Sequence, residues 1–518
     1  MEISRNWVVK GANALALASA AACLYSMRRA DPDLWGYLSA GRLFVEQGGV
    51  TTHDPFAYTS TGLQWVPFEN VAQIALWLAY HHGGPSGLIA LKCLVGGAAL
   101  YFLFVAFRAT TDDPYFWLPL FLLCASALSR FFLFRPQLFT FAYFALFVAV
   151  LFRSLLGRRA HLWMLPIVML AWANTHGGFV AGLGAVGLAI LLRASGNIAT
   201  GPFRPEKTLS GTAALWLVLA ACLAATFVNP LGWRLWGYVL TELTHSTNRE
   251  YIAEWGPPSL RVDPWSAVAL TVLTAALAVM VWFVRRRGGS RGTAQAVYWA
   301  LSCVPLIAMA WVSIRHLPLA AIWTGPVIAL LGATTSVREH SAFRRVWFAF
   351  TGVALLPVAL TFAVVYVQPR PLVSADRSVF GGTHPCGAMA FLRAHHLAGH
   401  VYNPLWWGSY LTWELYPAIR VSMDGRNISL FRDEMVKENL EFYSDRCTSL
   451  EAPLQYDTDF LLIPTNQQVL TAILDDDRWR QIYRDDDSVL FARAGAQYPS
   501  PPPSAPGALP DVCSAMFE

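Results

Sequence analysis

Long apolar stretches recur along this sequence and constrain its fold more than any other feature. A helix needs about 20 apolar residues to cross the roughly 30 Å hydrocarbon core of a bilayer. Hydrophobic residues make up 55% of the 518 residues and charged residues 14%, whereas a soluble domain carries about 25% charge. We therefore predict a polytopic α-helical membrane protein. Its eleven predicted spans are 11–27, 86–107, 114–130, 136–152, 160–175, 178–192, 208–228, 264–284, 294–314, 317–336 and 346–367.

The basic residues orient these predicted spans. With the N-terminus in the cytoplasm, the segments on that side hold 16 Lys and Arg residues, and the opposite loops before residue 368 hold nine. Because basic loops favour the cytoplasmic side, we predict that residues 368–518 lie outside the cytoplasm. Residues 1–27 look like a signal peptide, but ten further spans follow, so we expect a retained first helix.

Charge divides the chain near residue 368. Residues 1–367 carry 26 basic and 14 acidic side chains and are expected to form the membrane domain, whereas residues 368–518 carry 12 and 19. We predict a small extracytoplasmic α/β domain over 368–496 and a disordered Pro-rich tail over 497–518. No basic tract has interleaved aromatic residues, which argues against nucleic acid as a partner. The domain's predicted strands are 401–402, 460–463 and 489–492, and its predicted helices are 385–396 and 434–443.

Three of the eight cysteines, Cys386, Cys447 and Cys513, lie in the region predicted to be extracytoplasmic. An oxidising compartment allows two of them to form one disulfide, although the sequence does not select the pair. The other five lie in apolar runs, where cysteine acts as a small buried hydrophobe. The eight cysteines show no zinc-binding spacing.

The predicted outer loop at residues 28–85 is far longer than most other loops and belongs to the expected membrane domain. A carboxylate at the membrane surface can accept a hydroxyl proton as a general base, and aromatic rings offer apolar faces to a sugar. The alternative is helix capping and turn formation, since Asp-Pro is a turn signal. The loop contains the carboxylates Asp31, Asp33, Glu46, Asp54 and Glu69 and the tryptophans Trp35, Trp65 and Trp77.

Basic residues also stand at the predicted outer ends of spans. Arg135, Arg315 and His316 occupy such positions, where a charge must snorkel, pair or serve a function. Arg binds phosphate through its planar fork, so a phosphate head group is one interpretation and interfacial anchoring is the other. His176 lies in a predicted turn, where it can donate to phosphate, bind a metal or satisfy the turn itself.

Two motifs stand out in the C-terminal region. Residues 403–411 contain Trp407 in a Trp-Trp-Gly run, which follows a predicted strand and can form a lid over a membrane-surface site. The run Asp424-Gly425-Arg426 is the second motif. Asp-Gly is an ordinary turn signal, so we favour a structural role for Asp424.

The unusual polar motifs fall on one predicted side of the membrane. In order they are Asp31-Pro32-Asp33-Leu34-Trp35, Asp54-Pro55-Phe56, Phe134-Arg135-Pro136-Gln137, Trp172 through Phe179, Asn229-Pro230-Leu231-Gly232, Glu254-Trp255, Asn403-Pro404 and Asp424-Gly425-Arg426. In this order the chain resembles the GT-C superfamily of integral-membrane glycosyltransferases over roughly residues 7–495. It is most similar to the bacterial branch of polyprenyl-phosphate mannosyl- and aminoarabinosyl-type transferases.

This resemblance implies a function. It implies inverting transfer of a sugar from a polyprenyl-phosphate donor to an extracytoplasmic glycan, lipid or protein, by an enzyme of the bacterial inner membrane. It implies a catalytic Asp in the first loop, which is Asp33 by its spacing to Trp35 and Gly41, or Asp31. Asp31-Pro32 resembles the Asp-Pro of oligosaccharyltransferase catalytic subunits, which use a divalent metal, so Mg or Mn and metal independence both stay open. The predicted substrate-binding residues are Asp54, Glu69, Arg135, His176, Arg315, His316, Trp35 and Trp407.

Two other functions stay open at this point. A transporter or flippase for a lipid-linked glycan predicts ionisable residues deep in the membrane and inverted repeats. Lys92 is the chief charge inside a predicted span, and no internal repeat is visible. A noncatalytic scaffold for envelope assembly predicts a first loop that tolerates the removal of its charges.

Overall fold

The fold is described from a computed structural model. It describes residues 2–26, 32–195, 209–244, 253–287, 290–333, 345–347, 349–352, 384–426, 429–444, 447 and 449–495. Asp31, Cys513 and the predicted tail 497–518 lie outside the described residues, as does most of the predicted span 346–367.

The chain divides into two compact units. The helical unit comprises Met1–Arg28, Ile89–Trp233 and Asn248–Pro369. The sheet unit comprises Arg29–Leu88, Arg234–Thr247 and Arg370–Glu518.

The described α-helices follow the apolar stretches of the sequence through the first part of the chain. They are α1 (Glu2–Ser26), α2 (Leu34–Gln47), α3 (Asn70–Thr110), α4 (Pro114–Ser129), α5 (Gln137–Leu155), α6 (Met164–Ala173), α7 (Phe179–Ser195), α8 (Leu209–Ala225), α9 (Arg234–Thr244), α10 (Pro264–Arg287), α11 (Ser290–Val312) and α12 (Leu317–Gly332). Short 3₁₀ turns at Ala253–Trp255 and Ile314–His316 lie between the later helices.

Four helical stretches are long and apolar enough to cross a membrane: Asn70–Thr110, Gln137–Leu155, Pro264–Arg286 and Ile314–Gly332. Helices satisfy their own backbone hydrogen bonds, which a span in hydrocarbon requires. The protein is therefore a membrane protein. The shorter apolar helices are Val8–Leu24, Pro114–Ser129, Met164–Ala173, Phe179–Ser195, Gly211–Ala225 and Ala296–Val312. These ten stretches overlap ten of the predicted spans, and the count of eleven crossings stays a prediction.

Helix α3 is interrupted at Gly84, whose φ of 54° and ψ of −146° are not helical. Only glycine adopts this backbone conformation readily, and Pro85 then begins the second part of the helix. The predicted span 86–107 coincides with this second part. The sequence Gly83-Gly84-Pro85 therefore marks where the predicted outer loop 28–85 ends.

The sheet unit is built on a five-stranded mixed sheet with the order β2-β1-β3-β5-β4. Strand β1 runs parallel to β2 and β3, whereas β3–β5 and β5–β4 are antiparallel. The buried strand β3 forms the centre, because Phe460 through Ile463 are all fully buried. The strands are β1 (Gly399–Tyr402), β2 (Ile419–Val421), β3 (Phe460–Pro464), β4 (Trp479–Arg484) and β5 (Ser488–Arg493), and the helices are α13 (Cys386–Ala394), α14 (Leu405–Leu415), α15 (Asp433–Phe442) and α16 (Val469–Leu474).

The predicted outer loop 28–85 groups with this sheet, whereas the sequence-based division placed it with the membrane domain. Its backbone pairs with strand β2: the amide of Tyr58 donates to the carbonyl of Val421 at 3.0 Å, and the amide of Val421 donates to Phe56 at 3.2 Å. The position of the loop between two apolar stretches had suggested that it belongs to the membrane domain. The hydrogen bonds that decide it join residues more than 360 positions apart.

Candidate functional site

Two buried carboxylates and one guanidinium form an ion-pair triad in the sheet unit. Arg426 Nη1 lies 2.6 Å from Asp54 Oδ1, and its Nη2 lies 2.6 Å from Asp424 Oδ2. The side chain of Arg426 is 6% exposed, that of Asp54 is 1% exposed and that of Asp424 is 2% exposed. The guanidinium also lies 5.2 Å from the ring centroid of Phe56 and 4.8 Å from that of Trp65. The triad thus joins the first outer loop to the Asp424-Gly425-Arg426 turn.

The pairing shifts the pKa values of Asp54 and Arg426 toward their charged forms. Burial raises the pKa of Asp54, but the charge and hydrogen bond of Arg426 and the amides of Phe56 and Ala57 outweigh burial and lower that pKa overall. Burial lowers the pKa of Arg426, yet the two carboxylates raise it above its ordinary value. A buried charge is tolerated only when it is paired. The carboxylates of Asp54 and Asp424 both pair with Arg426.

Asp33 immediately precedes α2, at the position from which a side chain caps a helix. Its backbone angles are φ −74° and ψ −19°, and its side chain makes no capping hydrogen bond. The carboxylate instead faces Gly425: an ideal Cβ built on Gly425 would overlap Asp33 Oδ1 and lie 3.2 Å from Asp33 Cγ. The structure therefore brings Asp33 to the same turn that holds Asp54, although the sequence alone left helix capping open.

The other predicted site residues of the sheet unit pack differently. The side chains of Trp35 and Trp407 are 4% and 1% exposed. The Trp35 ring centroid lies 5.2 Å from that of Tyr410 and 6.0 Å from that of Trp413. Both tryptophans therefore contribute to the packed interior. Glu69 lies half-buried just before α3.

In the helical unit, two arginines converge on the 3₁₀ turn Ala253–Trp255. Arg135 Nη1 donates to both carboxylate oxygens of Glu254, at 3.0 and 3.1 Å. The guanidinium carbon of Arg315 stacks 3.8 Å from the ring centroid of Trp255. Burial raises the pKa of Glu254, but the charges of Arg135 and Arg315 outweigh burial and lower that pKa overall. We call Arg135, Glu254, Trp255 and Arg315 the arginine cluster.

The charges of both guanidiniums of the arginine cluster act on the carboxylate of Glu254. The side chain of Arg135 is 12% exposed and that of Glu254 is 30% exposed. Guanidinium groups that are held by other side chains lose less rotational freedom when they bind a phosphate. Both guanidiniums are therefore held in place by neighbouring side chains.

His176 is a neutral hydrogen-bond donor beside this cluster. Its Nδ1 accepts from the amide of Gly178 at 2.9 Å and lies 2.9 Å from Thr140 Oγ1, which itself accepts from Trp172 Nε1 at 2.8 Å. Because Nδ1 accepts, the hydrogen-bond network assigns the ring proton to Nε2. Burial, together with the charge of Arg315, lowers the pKa of His176 to about 3.

His316 adjoins Arg315 in the chain. Its Nδ1 is buried and has no hydrogen-bond partner within the part of the chain that the structure describes. A buried polar atom of this kind calls for a ligand or water.

No family model matches the sequence, and neither does any curated protein. Solved structures do match. The oligosaccharyltransferase AglB from Archaeoglobus fulgidus, in complex with an inhibitory peptide and a dolichol-phosphate, aligns with a TM-score of 0.58 and 11% identity over 94% of this chain and 75% of that chain. ArnT from Cupriavidus metallidurans bound to undecaprenyl phosphate aligns at 0.50 and 13% over 96% and 99%. The arabinofuranosyltransferase AftD from Mycobacteria aligns at 0.51 and 14% over 95% and 42%.

The chain has the GT-C fold. The fold predicted from the order and sidedness of the polar motifs is thereby confirmed. Within this fold, Asp33 and Asp54 belong to the sheet unit, and Arg135, His176, Arg315 and His316 belong to the helical unit.

Lys92 is a buried charged residue that was not among the site residues predicted from the sequence. Its side chain is 1% exposed, and its Nζ lies 5.4 Å from the ring centroid of Phe134, the neighbour of Arg135 in the chain. The sequence contained a signal for this residue, because Lys92 is the chief charge within a predicted span. A buried ionisable residue in a membrane helix indicates a functional position.

A bound divalent metal would need a group of carboxylate or other ligand side chains close together. Across the described ranges, no group of three or more His, Cys, Asp or Glu residues is arranged to hold a metal ion. No chemical step is therefore assigned to a metal, and Asp31 lies outside those ranges. Cys386 is disulfide-bonded and Cys447 is a free thiol.

Proposed function

We propose that the protein is a membrane glycosyltransferase that transfers a sugar from a polyprenyl-phosphate donor to an extracytoplasmic acceptor. The arginine cluster is the observation that carries this proposal, since it is preorganised for a phosphate in a chain with the GT-C fold. Two solved structures of this fold hold dolichol-phosphate and undecaprenyl phosphate. Both lipids present the phosphate chemistry that such a cluster fits.

Arg135 and Arg315 bind the donor phosphate in this proposal. Glu254 orients Arg135 and the Trp255 ring orients Arg315, so both guanidiniums are held before the donor arrives. Negative charge accumulates on the phosphate as the sugar leaves it, and fixed donors stabilise that charge. His176 and His316 are proposed to add ring N–H donors to the phosphate.

Asp33 is the general base of the proposed reaction, with Asp31 as the other first-loop carboxylate. The base takes the proton of the acceptor hydroxyl as its oxygen forms a bond to the anomeric carbon. The bond from that carbon to the phosphate oxygen breaks, its electron pair stays on the polyprenyl phosphate, and the anomeric configuration inverts. Glu69 is proposed to contact the substrate.

The remaining predicted residues support the site in this proposal. Asp54 holds Arg426, while Trp35 and Trp407 pack the sheet unit. The enzyme is proposed to lie in the bacterial inner membrane with eleven crossings, a cytoplasmic N-terminus and an extracytoplasmic C-terminal domain.

Binding of undecaprenyl phosphate to the purified protein in detergent tests the donor site. We expect Arg315→Ala and Arg135→Ala each to weaken binding at least tenfold, because a charge-assisted hydrogen bond to phosphate contributes about 1.5–3 kcal/mol. Undecaprenol, which lacks the phosphate, should bind weakly to every variant. The matched control is Arg286→Ala, since Arg286 stacks on Trp282 within another helix. Equal affinity in wild type and the Arg135→Ala, Arg315→Ala double variant contradicts the proposal.

A further inference from the structure

We propose that the Asp424-Gly425-Arg426 turn positions the carboxylate of Asp33, and that a side chain at residue 425 would displace this carboxylate. This inference rests on the proposed function, because it concerns the proposed general base. Asp33 and the turn both belong to the sheet unit.

A side chain at 425 is opposed by the neighbouring side chains rather than by the backbone conformation of residue 425. Its φ does not lie in the left-handed region that favours glycine. A Cβ at this position would overlap Asp33 Oδ1 and would also lie 3.3 Å from Ser409 Oγ. The amide of Gly425 donates to that hydroxyl oxygen at 3.3 Å. The Asp33 carboxylate therefore occupies the space that a side chain at 425 would take.

The turn itself is held from three directions. The amide of Arg426 donates to Asp424 Oδ1 at 3.0 Å, which closes the turn locally. The Arg426 side chain is clamped between Asp424 and Asp54. Below the turn, Gly408 of α14 approaches so closely that a Cβ there would overlap the carbonyl oxygen of Met423 and lie 2.8 Å from Asp424 Cα. The surface that faces Asp33 is consequently rigid.

Asp33 is also fixed from its own side. It precedes α2, and α2 packs on α14 so closely that a Cβ on Gly36 would lie 2.9 Å from Ser409 Oγ. The ring of Trp35 packs against Tyr410 of the same helix. Ser409 thus contacts both the segment that carries Asp33 and the turn that faces it.

This arrangement has a chemical consequence. A general base must lie within about 2.6–3.2 Å of the proton that it removes. A misplacement of about 1 Å lowers the rate of a positioned reaction roughly 100-fold. A methyl group at 425 must displace the Asp33 carboxylate, the turn or both. Gly425 is therefore a positioning residue, and Asp33 is the residue that reacts.

The test compares Gly425→Ala with Gly49→Ala in the purified full-length protein. A Cβ at Gly49 meets no atom within 4 Å, and Gly49 also lacks a left-handed φ. The substrates are synthetic undecaprenyl-phosphate pentoses and hexoses, with water as the acceptor hydroxyl and release of free sugar and undecaprenyl phosphate as the readout. We expect Gly425→Ala to lower kcat roughly 10- to 100-fold with KM for the donor changed less than about threefold. Gly49→Ala should match wild type.

A double-mutant cycle with Asp33→Asn separates positioning from general damage. If Gly425 acts through Asp33, Gly425→Ala lowers the residual rate of the Asp33→Asn protein by less than about twofold. The same fold-loss in both backgrounds would show an effect unrelated to Asp33 and would overturn the inference. If Gly425→Ala does not fold, Ser409→Ala replaces it, since that variant removes a contact without adding bulk and should also lose its effect beside Asp33→Asn.

The outcomes separate this inference from the proposed function. Full activity of Asp33→Asn removes the proposed base and with it this inference. An inactive Asp33→Asn protein together with a fully active Gly425→Ala protein overturns the inference alone. A structure of Gly425→Ala gives a readout without turnover: an Asp33 carboxylate that has not moved overturns positioning even if no synthetic donor is used.

Discussion

At the scale of single residues, the carboxylates of Asp54 and Asp33 lie in different surroundings. Asp54 is enclosed by Arg426 and two backbone amides, whereas Asp33 faces Gly425 and makes no capping hydrogen bond. The two residues look alike in the sequence, because both belong to short Asp-Pro motifs in one loop. Arg426 and Gly425, which make this difference, lie far along the chain from Asp54 and Asp33, which is why local patterns did not distinguish the two carboxylates.

Asp54→Asn should destabilise the protein and change how its stability depends on pH. The folded-state pKa of Asp54 is lowered, so its stabilising effect is complete above the unfolded pKa of about 3.9 and is lost as pH falls through the folded pKa. We expect Asp54→Asn to cost about 2–4 kcal/mol at pH 7, since it removes one partner of a buried pair. Thermal unfolding in detergent between pH 7 and 3 measures both effects.

The control for Asp54 is Glu46→Gln, whose carboxylate forms an exposed i,i+4 pair with Arg42. Exposed pairs of this kind contribute only about 0.3–0.5 kcal/mol. If Asp54→Asn were as stable as Glu46→Gln, or lost stability toward acid as steeply as wild type, the buried triad would not have the role assigned to it.

At the scale of elements, three consecutive residues, Gly83, Gly84 and Pro85, account for the interruption of α3. Gly83 and Pro85 flank Gly84, which alone has the unusual backbone conformation. Apolar length predicted the span beginning at 86, and Pro85 agreed with that start. The helical segment before the break was not predicted, because it was read as part of a loop.

Gly84→Ala should lower stability, whereas Gly83→Ala should not. An alanine at φ 54° and ψ −146° is strained by about 1–3 kcal/mol. Gly83 has no left-handed φ and no atom within 4 Å of an added Cβ, so alanine there adds only helix propensity. Thermal unfolding of the two variants is the measurement. A Gly84→Ala protein that unfolds at or above the wild-type temperature would mean that the break is absent.

At the scale of the whole molecule, the membrane orientation is the property that the proposed function most needs. The donor and acceptor are both proposed to act outside the cytoplasm, and the C-terminal region carries the turn that faces Asp33. The positive charge of the predicted cytoplasmic loops is the basis for this orientation.

Labelling of Cys447 tests the orientation directly. Cys447 is a free, half-buried thiol in the C-terminal region. We expect a membrane-impermeant maleimide to label it in intact spheroplasts, and Cys447→Ser to lose that label. Labelling that appears only after the membrane is permeabilised would place the region in the cytoplasm and exclude the proposed acceptor side.

The sequence by itself determined the membrane class, the position of most apolar helices and the GT-C fold, because apolar length and the order of polar motifs are properties of the linear chain. It also pointed to Asp33, Arg135 and Arg315. Only the tertiary structure decided that Asp54 pairs with Arg426, that Glu254 and Trp255 hold the two arginines, and that Gly425 leaves room for Asp33. Ion pairs and close contacts depend on which segments pack together, and a local sequence pattern does not show which distant segments will meet.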